Sequence, residues 1–198
     1  MDNAYDTLTE NCYECTSCLI NKFDIRDEKE LAKLESSITF AKASLLENEP
    51  ISGGFNFSHY KAVHNFLFCD LFEWAGQIRT ADISKKRTHF VKAKDIENIG
   101  DLLFESIGKN ILNNKLSKKE FALQIADYYH SVNMLHPFRE GNGRTQRAFF
   151  TELIRKCGYD INFGDINPDD LLIATINAAG GVMDSLNEIF VTYIINHN

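Results

Sequence analysis

His136-Pro137-Phe138-Arg139-Glu140-Gly141-Asn142-Gly143-Arg144-Thr145-Gln146-Arg147 is the stretch from which the rest of the chain is best read. Two glycines flank an asparagine in a loop that runs straight into helix-forming sequence. Backbone N–H groups at that helix start face outward with the positive dipole end behind them, which makes an anion site. Arg144 and Arg147 are three apart at the start of the helix and project to one side. Their planar guanidinium forks suit phosphate oxygens. Glu140 stands just before the loop, where a carboxylate can hold Mg²⁺, an ion that takes one or two carboxylates plus phosphate oxygens. Asn142 adds an amide donor. His136, with an ordinary pKa of about 6.5, can accept a proton near neutral pH. Base, cation ligand, anion loop and arginine pair in one short stretch are what phosphoryl or nucleotidyl transfer needs. Two arginines in a first helical turn oppose the dipole, so they need a partner outside their own helix. Such local conflict is typical of functional sites.

Working outward, Pro137 ends helical structure just after Leu135, and Ser117 with Glu120 forms a capping box for the helix before it, which carries Phe121, Ile125, Tyr128, Tyr129 and Val132. Arg144 to Lys156 resumes helix until Gly158 stops it. Leu31, Leu34, Ile38, Ala41 and Leu45 predict an amphipathic helix from Asp27 to about Glu49, and Ser58 opens a second that runs to Trp74-Ala75-Gly76. Gln77 to Val91 reads as a hairpin, two short β-like arms around the basic tip Lys85-Lys86-Arg87. A third helix is expected over about Lys94–Asn113, and two more near Pro168–Ala178 and Val182–Ile195. Residues 1–22 carry no period and are expected to be irregular, with a single domain over 23–198 and its core at about 55–160.

Composition bounds the functional classes. Apolar residues at 44% and charged residues at 25% describe an ordinary water-soluble globule, and only three prolines among 198 residues favour helix. A net charge of −7, with no long Lys/Arg tract, argues against direct nucleic-acid binding. No apolar run approaches the ~18 residues of a membrane span, and the polar, acidic start is unlike a signal peptide. The expectation is a cytoplasmic protein. Five cysteines, an odd number, are expected to be reduced. Cys12, Cys15 and Cys18 resemble part of a zinc or iron–sulfur set, but a fourth ligand is missing nearby, so an unliganded segment is the expectation. His59 and His64 are five apart and read as structural residues.

The stretch at 136–147 matches the Fic/Doc signature, His-x-Phe-x-(Asp/Glu)-Gly-Asn-Gly-Arg-x-x-Arg, at His136, Phe138, Glu140, Gly141, Asn142, Gly143, Arg144 and Arg147. Phe55 to Thr80, with Leu71-Phe72-Glu73-Trp74-Ala75-Gly76-Gln77-Ile78-Arg79, also resembles the region that leads to that family's target-docking flap. The resemblance implies an all-α Fic-type helical bundle with a small β-hairpin flap. It also implies transfer of AMP from ATP to a Ser, Thr or Tyr hydroxyl of a target protein. His136 would be the general base, Glu140 the Mg²⁺ ligand, and Asn142 a contact of the α-phosphate. The Gly141 and Gly143 backbone would line the anion hole, with Arg144 and Arg147 on the outer phosphates and Phe138 anchoring the loop. Ile78, Arg79, Thr80, Lys85, Lys86 and Arg87 would belong to the flap, which pins an extended target by strand addition. In the kinase-like branch the second glycine is typically replaced, so Gly143 favours AMP transfer. Phosphate transfer, or an ATP-binding module without catalysis, are the alternatives.

Many members of the family carry an inhibitory helix with the pattern (Ser/Thr)-x-x-x-Glu-(Gly/Asn). The nearest match before the core is Ala43-Ser44-Leu45-Leu46-Glu47-Asn48, which lacks the hydroxyl residue. The resemblance then implies either a separate small antitoxin protein or a Glu47 that acts without the hydroxyl, the former being favoured. With no extra C-terminal domain of the effector kind, an intracellular bacterial target such as a type II topoisomerase subunit is the expectation.

Overall fold

The computed structural model describes residues 11–85, 88–112 and 116–197. Its helices start where the sequence supplies caps. The side chain of Asp27 accepts from the Glu30 N–H ahead of α1 (Glu28–Asn48), and Asn56 accepts from the His59 N–H ahead of α2 (Phe57–Phe68). Strands β1 (Ser84–Lys85) and β2 (Thr88–His89) precede a short 3₁₀ turn and α3 (Ile96–Ile111). Ser117 and Glu120 close the full capping box of α4 (Lys118–Leu135). Then come α5 (Asn142–Lys156), β3 (Tyr159–Asp160), α6 (Pro168–Ala179), α7 (Asp184–Tyr193) and β4 (Ile195–Asn196). No helix among the described residues is long and apolar enough to cross a membrane.

α4 packs against α3, α5, α6 and α7, while α1 and α2 both lie against α5. The core is phenylalanine-rich. Tyr60, Phe104, Phe138, Phe149 and Phe150 are buried together, with ring centroids of 4.9 to 5.8 Å along the Tyr60–Phe104, Tyr60–Phe138 and Phe149–Phe150 contacts. That spacing is the range in which aromatic pairs add to simple burial.

Four details differ from the sequence reading, each for a physical reason. α2 ends at Phe68 rather than near Gly76, because the chain doubles back over it through hydrogen-bonded turns that bury Leu71 and Phe72. Gly76, at φ +81°, crosses α2 so closely that a Cβ there would lie 2.8 Å from Asn65 Cβ. On α1 the inward stripe includes Glu35 and Thr39, while Ala41 and Leu45 face outward. A short antiparallel β3–β4 pair, Tyr159 with Asn196 and Asp160 with Ile195, joins the end of α5 to the end of the chain. Such two-residue arms are too short for any periodicity to reveal. Finally, residues 11–22 hold neither helix nor named strand, but a Cys12–Leu19 bridge folds them back and buries Cys18 and Leu19 in the core. The β1–β2 hairpin falls within the expected Gln77–Val91 stretch, but its two-residue arms take up Ser84–Lys85 and Thr88–His89, so Lys85 belongs to an arm rather than to the basic tip; Lys86 and Arg87 lie outside the described residues.

Glu152 on α5 faces His59 on α2 in the interior, Oε2 to Nε2 at 3.5 Å, with side chains 7% and 2% exposed. The Phe55 N–H donates to His59 Nδ1 at 3.3 Å, so the ring proton of the neutral imidazole sits on Nε2, facing the carboxyl group. Burial lifts the Glu152 carboxyl to about 7 and lowers His59. A carboxyl raised in the folded state contributes stability at low pH that is lost as pH rises through about 7. Glu152→Gln is therefore expected to stabilise the protein by on the order of 1–3 kcal/mol at pH 8, with the gain vanishing near pH 4.5. Denaturant unfolding at both pH values measures it, and a gain that does not depend on pH would contradict the assignment.

Candidate active site

α4 ends at His136, whose backbone is left-handed at φ 42° and ψ 60°. This turn throws the chain into the loop, and two hydrogen bonds from Arg79 hold it while two more tie its side chain to the flap segment. The Arg79 N–H donates to the Pro137 carbonyl at 2.8 Å, Nε to the His136 carbonyl at 2.9 Å, Nη1 to Ala81 at 2.7 Å, and Nη2 to Val91. Sequence reasoning put Arg79 in the flap as a target contact. In the structure it is buried and ties the flap to the loop. Ile78 and Lys85 are half-buried nearby, and Thr80 is exposed.

The His136 ring stacks on Phe90 with centroids 3.9 Å apart, and Nδ1 lies 3.1 Å from the Asn133 carbonyl. A carbonyl only accepts, so Nδ1 carries the proton and Nε2 is the basic nitrogen. Burial, assisted by the positive charges of Arg79 and Lys85, lowers His136 to about 3. The imidazole is thus neutral throughout the physiological range.

The glycine loop is braced from beneath. Asn142 uses both ends of its amide on one residue, accepting from the Phe138 N–H at 2.9 Å and donating to the Phe138 carbonyl at 2.7 Å. Phe138 is fully buried. The Gly76 N–H donates to His64 Nδ1 at 2.8 Å, so Nε2–H donates to the Glu140 carbonyl at 3.0 Å. His64 is therefore a structural pin, and burial lowers it to about 3 as well. Gly141 caps α5 at φ +81°, and a Cβ there would lie 2.3 Å from the Phe68 ring. Only glycine fits. At Gly143, by contrast, a Cβ would meet nothing closer than Arg147 Nη1 at 3.5 Å, and the residue is exposed. The open surface at the N-terminus of α5 is where an anion can approach.

Glu140 accepts from the Gly141 N–H through Oε1 at 2.9 Å. One carboxylate beside an anion loop fits Mg²⁺ carried in with a polyphosphate, since that ion keeps several waters and phosphate oxygens of its own. Arg144 and Arg147 line one cavity of about 320 Å³, between α1, α5 and residues 161–164. The partner that the arginines need outside their helix is Glu35, whose carboxylate pairs with Arg144 Nη2. No sequence signal pointed to it. Among the described residues no group of three or more His, Cys, Asp or Glu is arranged to hold a metal ion, and Cys12 lies instead 3.6 Å from Arg139 Nη2.

The two glycines separate structure from ligand approach. Gly141→Ala is expected to cost roughly 3 kcal/mol or more of stability through strain and the Phe68 clash. Gly143→Ala, in helical backbone, should leave stability within about 0.5 kcal/mol while weakening nucleotide binding. Thermal melts paired with nucleotide titrations test this contrast, and equal losses of stability would refute it.

Several known proteins are similar to this chain. A model of the Fic/DOC family matches residues 54–154. The protein adenylyltransferase VbhT of Bartonella schoenbuchensis is 33% identical over 87% of this chain, which spans 36% of that longer protein. The probable protein adenylyltransferase y4lH of Sinorhizobium fredii is 36% identical over 86% of this chain and 88% of its own. Among solved structures, the Bartonella tribocorum effector BepC with bound AMPPNP superposes with a TM-score of 0.89 at 25% identity, covering 95% of this chain and 97% of its own. With the signature residues gathered around one anion loop and relatives similar over most of its length, the chain belongs to the Fic/DOC family.

Proposed function

We propose that this chain is a protein adenylyltransferase that moves AMP from Mg²⁺–ATP onto a Ser, Thr or Tyr hydroxyl of another protein. The observation that carries the reading is His136: a neutral imidazole whose tautomer leaves Nε2 basic, at the edge of a glycine loop backed by a helix N-terminus. Relatives similar over most of the chain are named protein adenylyltransferases, and a similar structure contains AMPPNP. The target hydroxyl oxygen attacks the α-phosphorus in line, and His136 Nε2 takes the hydroxyl proton. The bond from the α-phosphorus to the bridging oxygen breaks, so AMP stays on the target and pyrophosphate leaves. Gly143 offers its backbone N–H to the phosphates, while the Gly141 N–H stays on the Glu140 carboxylate, and Arg144 and Arg147 receive the β- and γ-phosphates. Glu140 would hold Mg²⁺, which supplies charge neutralisation on the phosphate oxygens. The depressed basicity of His136 keeps it unprotonated and ready, and negative phosphate charge nearby raises its proton affinity when the substrate is in place.

Control by a separate antitoxin is favoured by one further observation. Glu47 lines the same cavity as Arg147, yet among the described residues no ion pair joins them. The cavity is bordered by Phe40, which is 76% exposed. An inhibitory helix from another protein would cover this apolar rim and supply the missing acid.

The reading is tested with ATP labelled at the α- or the γ-phosphate, Mg²⁺ and cell lysate, with a type II topoisomerase subunit as the first purified target. Label should reach protein from α-labelled ATP only, and His136→Ala should lower transfer by about 10²-fold or more. Transfer of γ-label would instead identify a phosphotransferase, and ATP binding without either transfer a binding module. Glu47→Gly should leave the rate unchanged, and a large rise would remove the case for a separate antitoxin.

A further inference from the structure

Arg144 lies between two carboxylates that belong to different parts of the chain. Glu140, in the loop, has Oε1 3.6 Å from Arg144 Nη2. Glu35, midway along α1, pairs directly with the same nitrogen, and Nη1 donates to Thr39 Oγ1, one turn further along α1, at 3.4 Å. The Phe68 ring lies against the guanidinium, 4.9 Å from Cζ to centroid. Glu35 is 8% exposed, whereas the Arg144 side chain keeps 30% of its surface. One edge of the guanidinium is therefore sealed against α1 and the other opens into the cavity that Arg147 also lines. A guanidinium between two acids settles on the one that is nearer and better held. A carboxylate fixed on the inward face of a helix is better held than one in a loop. If Glu35 lost its charge, Glu140 would be the acid left to Arg144. The arginine would then swing toward the loop and cover the carboxylate that faces the incoming phosphates.

We propose that Glu35 is a positioning residue: it holds Arg144 on the α1 wall of the cavity, aimed at nucleotide phosphate, and so keeps Glu140 from being neutralised by its neighbour. This makes α1, which lies outside the signature stretch, part of the nucleotide site. The inference rests on reading that cavity edge as a nucleotide site, but not on the identity of the group transferred.

The test is a double-mutant cycle on the full chain with Glu35→Gln, Arg144→Ala and the two combined. Affinity for AMPPNP with Mg²⁺ is read by calorimetry, and kcat and KM for ATP wherever transfer is measurable. Glu35→Gln, nearly isosteric, should weaken AMPPNP binding about ten-fold and raise KM for ATP to match, with kcat within about two-fold. In the Arg144→Ala background the same change should cost less than about two-fold. Glu35→Asp, which keeps the charge, should recover most of the loss and serves if the amide variant folds poorly. Equal cost in both backgrounds would mean that Glu35 acts through α1 packing and would overturn the proposal. Tighter AMPPNP binding by Glu35→Gln would overturn it too, since the acid would then be competing with phosphate. Because binding is measured without a target, intact coupling with no AMP transfer would count against the adenylyltransferase reading alone.

Discussion

The imidazole of His64 joins the turn that follows α2 to the loop that precedes α5. Its ring lies between Phe138 and Phe68, with centroids 3.8 and 4.7 Å away, and its two nitrogens join the turn at Gly76 to the carbonyl of Glu140. The arrangement works only for the neutral ring. A second proton would set a donor at Nδ1 against the Gly76 N–H, and burial keeps that proton off. Beside it, Phe68 fills the space under Gly141 and lies against Arg144. One face of α2 thereby fixes the height of the glycine loop, the start of α5 and the first arginine of that helix. The residues of the signature stretch are neighbours in sequence, but they are held by residues about seventy positions earlier, such as His64.

This division explains what could be read from the amino-acid order. The chemistry of 136–147 is local, because helix caps, glycine turns and an arginine pair at i and i+3 are properties of adjacent residues. So are the capping box at Ser117 and the positions of the long helices. What could not be read depends on contacts across the fold. Glu35 looks like a solvated charge on an amphipathic helix, and only the packing of α1 against α5 makes it the counter-charge of Arg144. Arg79 sits in a stretch that reads as a polar hairpin, yet it is buried with its guanidinium on three carbonyls. The end of α2 was misjudged because Leu71 keeps helical spacing although turns carry it into the core. Periodicity records which residues are inside, and not by what path they arrive.

The polar interior has an electrostatic logic as well. A positive pair at a helix N-terminus opposes the dipole, and an anionic ligand relieves that conflict only while it is bound. Glu35 pairs with Arg144 from one side, while the other side stays open to the cavity. The arginine pair is thus tolerated by the fold while its other side faces the cavity.

His136 occupies a left-handed backbone conformation that a side chain with a Cβ rarely adopts. The Arg79 bond to its carbonyl and the Phe90 ring against its imidazole both come from the segment between α2 and α3. In the proposed reaction the base and the flap would therefore behave as one mechanical part. A flap lifted away would release the strained turn and let the imidazole drift from its aim. Only a seated flap would then present a set base, and proton acceptance and the gripping of an extended target would be geared to each other by a single buried guanidinium.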